Sequence, residues 1–162
     1  MIILRSIGAA LVIMAAACTQ APTGPSFRPN SSAIAEHELF NSATCGRMSS
    51  IAGSNWTPTV KMIEQLETAL LERLVPELEL DAAFYKHVQF APEDYIRRYS
   101  GFSLDGRPLI AICGERRDMY ERAGQNWRTS YIPLRDGGSE SFGAIYDPIT
   151  GEITYFEFGY HA

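Results

Sequence analysis

Residues 95–113 read YIRRYSGFSLDGRPLIAIC, and they decide the fold. Tyr95 to Ser103 and Pro108 to Cys113 are strand-prone runs, with Asp105-Gly106 between them. An Asp-Gly pair in that setting fits a type I′ turn, whose two central residues both need positive φ. The stretch therefore predicts an antiparallel hairpin. Upstream of Pro92 the period is different. Residues 57–76, TPTVKMIEQLETALLERLVP, place Val60, Ile63, Leu66, Leu70 and Leu74 at three- and four-residue intervals. That spacing gives one apolar stripe on a helix. Lys61, Glu64, Glu67, Glu72 and Arg73 fall mostly off it. Thr57 is the expected cap, Pro58 suits the first helical position, and Pro76 is the expected stop.

Beyond Pro76, Leu78 to Phe90 is ambiguous and reads as a second short helix. Ala33 to Phe40 reads as a short helix capped by Ser32, and Gly46 to Ser54 as a loop. Met119 to Gln125 reads as a loop, and Trp127 to Leu134 as a strand interrupted by Pro133. A second hairpin is expected at the end: Phe142 to Tyr146, the turn Asp147-Pro148-Ile149-Thr150-Gly151, then Glu152 to Phe158. Pro148 presets that turn, and Gly151 supplies its left-handed residue. The layout is α+β: one long helix packed on a four- to five-stranded antiparallel meander, the apolar face of the sheet covered by the helix. This order is similar to the cystatin and NTF2-like arrangements. Element order alone implies no function.

The N-terminal segment concerns location. Arg5 precedes an apolar run from Ile7 to Ala17, and Cys18 follows the small residues Ala15-Ala16-Ala17. A basic start, a short apolar run and small residues at the cut make a secretory signal peptide. The run is too short for a bilayer span of roughly 20 residues. Cys18 directly after the alanines resembles the lipobox of bacterial lipoproteins, with Ala15 where that family most often has Leu. The resemblance implies lipidation at Cys18. Thr19 stands where inner-membrane lipoproteins typically carry Asp, which implies an outer-membrane lipoprotein facing the periplasm. Plain cleavage after Ala17 would instead give a soluble periplasmic protein. The resulting division is a signal peptide over 1–17, a lipidated cysteine and flexible tether over 18–32, and a single α+β domain over 33–162. Pro22, Gly24, Pro25 and Pro29 give the tether its extended, uncoiled character.

The chain has 14 basic and 19 acidic residues; without Arg5 the mature portion carries a net charge of −6. No basic stripe marks a nucleic-acid interface. Arg97-Arg98 and Arg116-Arg117 are isolated pairs, read as solvated strand and loop positions. Beyond Cys18 there remain Cys45 and Cys113, which in an oxidising compartment predict a disulfide. That bridge would tie the segment before the helix to a central strand. Two free thiols are the alternative.

Signatures of catalysis are sparse. His37, His87 and His161 lack partners at metal-ligand spacing, so neither a metal nor another cofactor is expected. No Gly-x-Ser-x-Gly elbow or glycine-rich phosphate loop occurs. Asp136 and Asp147 flank one strand, too far apart for a paired-carboxylate site, and read as turn formers. The more suggestive feature is aromatic: Trp127, Asp136, Tyr146, Tyr155 and Tyr160 are the candidate partner-binding residues, since tyrosine and tryptophan dominate recognition surfaces. Simple alternation puts Ile153, Tyr155 and Glu157 on one face of the last strand, and Thr154, Phe156, Phe158 and Tyr160 on the other. Tyr95 to Ala162 resembles small uncharacterised secreted bacterial proteins, a resemblance that implies no activity. The expected function is a non-enzymatic lipoprotein, held to the membrane by its N-terminal lipid, that binds a partner protein. One version is an inhibitor or immunity protein of a cell-wall-active enzyme. The competing readings are a structural envelope lipoprotein, a small-ligand-binding module, and an envelope hydrolase using Glu115, Glu140, Asp136 or His87.

Overall fold

The computed structural model describes residues 32–34, 56–85, 90–132 and 138–159. Helix α1 spans Val60–Tyr85. Its cap is Thr59 rather than the expected Thr57. The Thr59 hydroxyl accepts a hydrogen bond from the Met62 N–H at 3.3 Å, and its carbonyl accepts from the Ile63 N–H at 3.1 Å, which satisfies donors left open in the first turn. Pro76 lies inside the helix instead of ending it. It removes one backbone donor, but the buried stripe runs across it. Ile63, Leu66, Leu70 and Leu74 are fully buried, and Leu78 nearly so. Burying each such side chain contributes about 1.5–3 kcal/mol, which outweighs the lost bond. The ambiguous stretch after Leu78 accordingly continues the same helix to Tyr85.

Four consecutive strands form the antiparallel meander. Strand β2 (Tyr95–Leu104) pairs with β3 (Arg107–Arg116) from Tyr95↔Arg116 to Leu104↔Arg107. Asp105 and Gly106 both have positive φ, 52° and 78°, as a type I′ turn requires. Strand β4 (Ser141–Asp147) pairs with β3, and β5 (Glu152–Phe158) with β4. In the second turn Asp147 Oδ1 accepts from the Ile149 N–H at 2.8 Å, and Gly151 takes φ 76°. A short strand β1 (Ser32–Ile34) lies parallel to β2, Ser32 opposite Arg97. It replaces the start of the helix expected over Ala33 to Phe40, because the edge of β2 offers backbone partners that an isolated short helix lacks. Residues 35–40 lie outside the described residues.

Two expectations between the hairpins are corrected. Arg117–Ala123 forms a second helix, α2, where a loop was expected. Met119 and Tyr120 are buried beneath it, and Gly124 closes it at φ 62°. Residues 127–132 do not form a strand. Asn126 folds them into a turn: its carbonyl accepts from the Thr129 and Ser130 N–H groups at 3.0 and 2.9 Å, and its Oδ1 from the Arg128 N–H at 3.0 Å. Asn favours such local turns over extended pairing.

The sheet has two apolar faces. On one, the α1 stripe packs on Tyr95, Tyr99, Ile110, Ile112, Phe142, Ala144 and Tyr146. On the other, Phe102, Leu109, Ala111 and Cys113 cluster with Ile145 and Tyr155 against them. The side-chain parity of β5 departs from simple alternation. A bulge between Ile145 and Tyr146 shifts the β4–β5 register, so Ile153 joins Phe156 and Phe158 on the α1 side while Tyr155 stays on the opposite side. An extra residue flips every side chain beyond it.

Candidate functional site

The most constrained polar constellation lies on the face of the sheet away from α1. Alternation along β2 puts Arg98 there, and along β3 Glu115, one diagonal step away. Both are buried, at 1 % and 0 % exposure, which overturns the expectation that Arg97-Arg98 is a solvated pair. Arg98 Nη1 donates to Glu115 Oε2 in an ion pair. Tyr120, brought over the sheet by α2, donates its hydroxyl to the same carboxylate oxygen at 2.6 Å and accepts from Arg98 Nη2 at 2.9 Å. The guanidinium then reaches beyond the sheet: Arg98 Nη2 shares its two N–H groups among the Tyr120 hydroxyl and the carbonyls of Trp127 at 2.5 Å and Ser130 at 2.9 Å. A buried charge thus clamps both ends of the 127–130 turn. Charged donors make about the strongest hydrogen bonds available to a backbone carbonyl.

What the clamp presents is aromatic. Trp127 is half-buried with the Arg128 guanidinium 4.1 Å from its ring, and Tyr131 is 41 % exposed. Fixing the backbone beneath such side chains removes ordering that a binding loop would otherwise undergo on contact. Among the predicted contact residues, Trp127 is in this loop. Tyr146 is not a surface residue: it is 3 % exposed and packs under α1, because β4 is an inner strand with its ring on the helix side. Tyr155 is half-buried against the second cluster. Asp136 and Tyr160 lie outside the described residues, as do Cys18, Cys45 and His87. Cys113 is buried on β3, the middle strand of the sheet. Nothing in the sequence singles out Tyr120, and Arg98 reads there as a solvated residue; the Asn126 turn chemistry and Gly124 are the signals that point to the loop and helix around them.

A second buried network stands on the α1 side. Glu67, inside the apolar stripe, accepts from Arg97 Nε at 2.8 Å and from the Tyr99 hydroxyl, while Arg97 Nη1 donates to the Pro92 carbonyl at 2.8 Å. Burial opposes the Arg97 charge, but Glu67 and Tyr99 more than offset it, and its pKa is raised. Side chains of α1 fill the α1-facing side of the sheet. A pocket of about 290 Å³ lies instead beside the later turns of α1, between Val75, Leu78, Glu79, Phe90, Ala91 and Pro92. Among the described residues no group of three acidic, His or Cys side chains gathers as a metal site. Of the carboxylates considered for hydrolysis, Glu115 is committed to Arg98 and Tyr120, and Glu140 sits half-buried in the turn before β4.

The phenols respond to this burial. Desolvation first, then the Glu115 charge, pushes the Tyr120 pKa well above its ordinary value of about 10; desolvation does the same to Tyr95. The folded chain therefore keeps protons that the unfolded chain releases. These groups contribute stability below about pH 10, and it is lost as pH rises beyond that value. Urea unfolding measured from about pH 8 to 11 should show falling stability at the alkaline end, with a shallower fall in Tyr120→Phe. Identical slopes would contradict this.

No protein-family model, curated protein or solved structure matches the chain.

Proposed function

We propose that this chain is an outer-membrane lipoprotein, anchored through Cys18, whose α+β domain binds a partner protein in the periplasm through the 124–132 loop. The observation that carries this reading is the clamp: one buried guanidinium holds two carbonyls of a loop that displays Trp127 and Tyr131. Rigid aromatic anchors on a supported backbone are the usual core of a recognition surface. The specific form we favour is an inhibitor or immunity protein of a cell-wall-active enzyme. The net charge of −6 on the mature portion complements a basic enzyme and speeds encounter more than it tightens the complex. The helix-then-meander order is of the cystatin and NTF2-like type.

Capture of the full-length chain from envelope extracts tests the reading. Wild type retains one stoichiometric partner, and the Trp127→Ala, Tyr131→Ala double variant retains about tenfold less with an unchanged thermal midpoint. Equal retention by the variant overturns it. A Cys45–Cys113 disulfide belongs to the same periplasmic reading, since an oxidising compartment favours pairing of the two remaining cysteines. Thiol labelling of denatured, unreduced protein should find neither cysteine reactive; two reactive thiols would refute the bridge.

A further inference from the structure

Strand β5 ends the sheet, and among the described residues no strand pairs with its outer side. Its pairing with β4 defines which backbone groups face outward. The Gly159 N–H donates to the Ser141 carbonyl at 2.8 Å. Hydrogen-bonded and non-bonded pairs alternate in an antiparallel ladder, so Gly143–Glu157 and Ile145–Tyr155 are the bonded pairs of this register. The N–H and C=O groups of Phe156 and Phe158 consequently point away from β4. An open edge with half-buried aromatic residues is a template for another extended segment.

The side chains restrict what that segment is. On the α1 side the edge carries Ile153, Phe156 and Phe158, with the two phenylalanine rings edge to face at 5.3 Å. On the other side it carries Glu152 and Glu157, flanking Tyr155, and Glu157 keeps Oε1 without a hydrogen-bond donor. A strand added here meets apolar neighbours on one face and carboxylates on the other. A second copy of this chain is a poor occupant, because it would set an acidic edge against an acidic edge, and like charges opposed across strands repel.

We propose that the outer edge of β5 takes an extended partner segment of alternating basic and apolar residues. The basic side chains lie beside Glu152 and Glu157, the apolar ones beside Phe156 and Phe158. This rests on the partner-binding reading above and adds a second contact and its chemistry.

The test is amide exchange followed by NMR on the full chain in detergent, with a peptide of about ten residues alternating lysine and valine. Exchange at Phe156 and Phe158 is expected to slow about tenfold, while Tyr155 and Glu157, already bonded to β4, change little. Glu152→Lys with Glu157→Lys should weaken the peptide about tenfold and create binding of the glutamate–valine counterpart, whereas Glu121→Lys on α2 leaves both unchanged. If the double variant unfolds, Glu152→Lys alone reads the same reversal in smaller measure. Unslowed exchange at Phe156 and Phe158, or affinity indifferent to the charge swap, overturns the proposal. A captured partner that depends on Trp127 but not on these glutamates overturns the edge contact alone. Loss of dependence on Trp127 and Tyr131 overturns the wider reading instead.

Discussion

Replacing Arg98 by methionine is expected to lower the unfolding free energy by about 3–5 kcal/mol, the usual result of stranding one member of a buried ion pair. Glu115 would remain at 0 % exposure, its charge unpaired among the described residues and hydrogen-bonded by the Tyr120 hydroxyl. The Trp127 and Ser130 carbonyls would lose their donor at the same time. Removing both charges, as in Arg98→Met with Glu115→Leu, should restore much of the loss, since an apolar pair of similar volume carries no desolvation penalty. Urea denaturation of the two single variants and the double variant measures this coupling. Additive losses would mean that the two side chains do not act as a pair. The clamp adds a local readout: trypsin should cut after Arg128 faster in Arg98→Met than in a variant equally destabilised on the α1 side.

Gly114→Ala should be the next most damaging change, for a steric reason. A Cβ on Gly114 would fall within 3.0 Å of the Phe142 ring. That ring has little room to retreat: Tyr95 lies 5.3 Å away in an edge contact, and Phe156 is stacked at 5.5 Å. Overpacking of this kind costs about 1–3 kcal/mol. Thermal unfolding reads it, and an unchanged midpoint would show that Phe142 moves freely. Gly101→Ala differs in kind. Its Cβ would press on the Trp56 carbonyl as well as the indole, so the expected loss is of the Trp56–Gly101 bridge, seen as a change in Trp56 emission.

Local chemistry explains which parts of this fold were legible in sequence. Asp105-Gly106 and Asp147 to Gly151 write their turns within a few residues, so both hairpins could be read directly. The α1 stripe was visible for the same reason. Pro76 misled because its penalty is local, whereas the burial of Leu78 that overrides it is tertiary. The bulge at Ile145/Tyr146 leaves no mark in the pattern and flips Ile153 to the helix side. The networks were the least legible. Arg98 meets Glu115, Tyr120, Trp127 and Ser130 at separations of 17 to 32 residues, and Glu67 meets Arg97 30 residues away. A charge in a sequence looks solvated until its distant partner is known. The loop that Arg98 holds therefore reads as a strand in sequence, although its tryptophan stands out.

Photocrosslinking in living cells, with a photoreactive residue at position 131 in the loop or at position 72 on the exposed side of α1, shows whether the 124–132 loop is the contact surface. One dominant protein adduct is expected from position 131, little from 72, and loss of the adduct when Arg98→Met releases the loop. Equal adducts from both positions, or none from 131, would contradict this expectation.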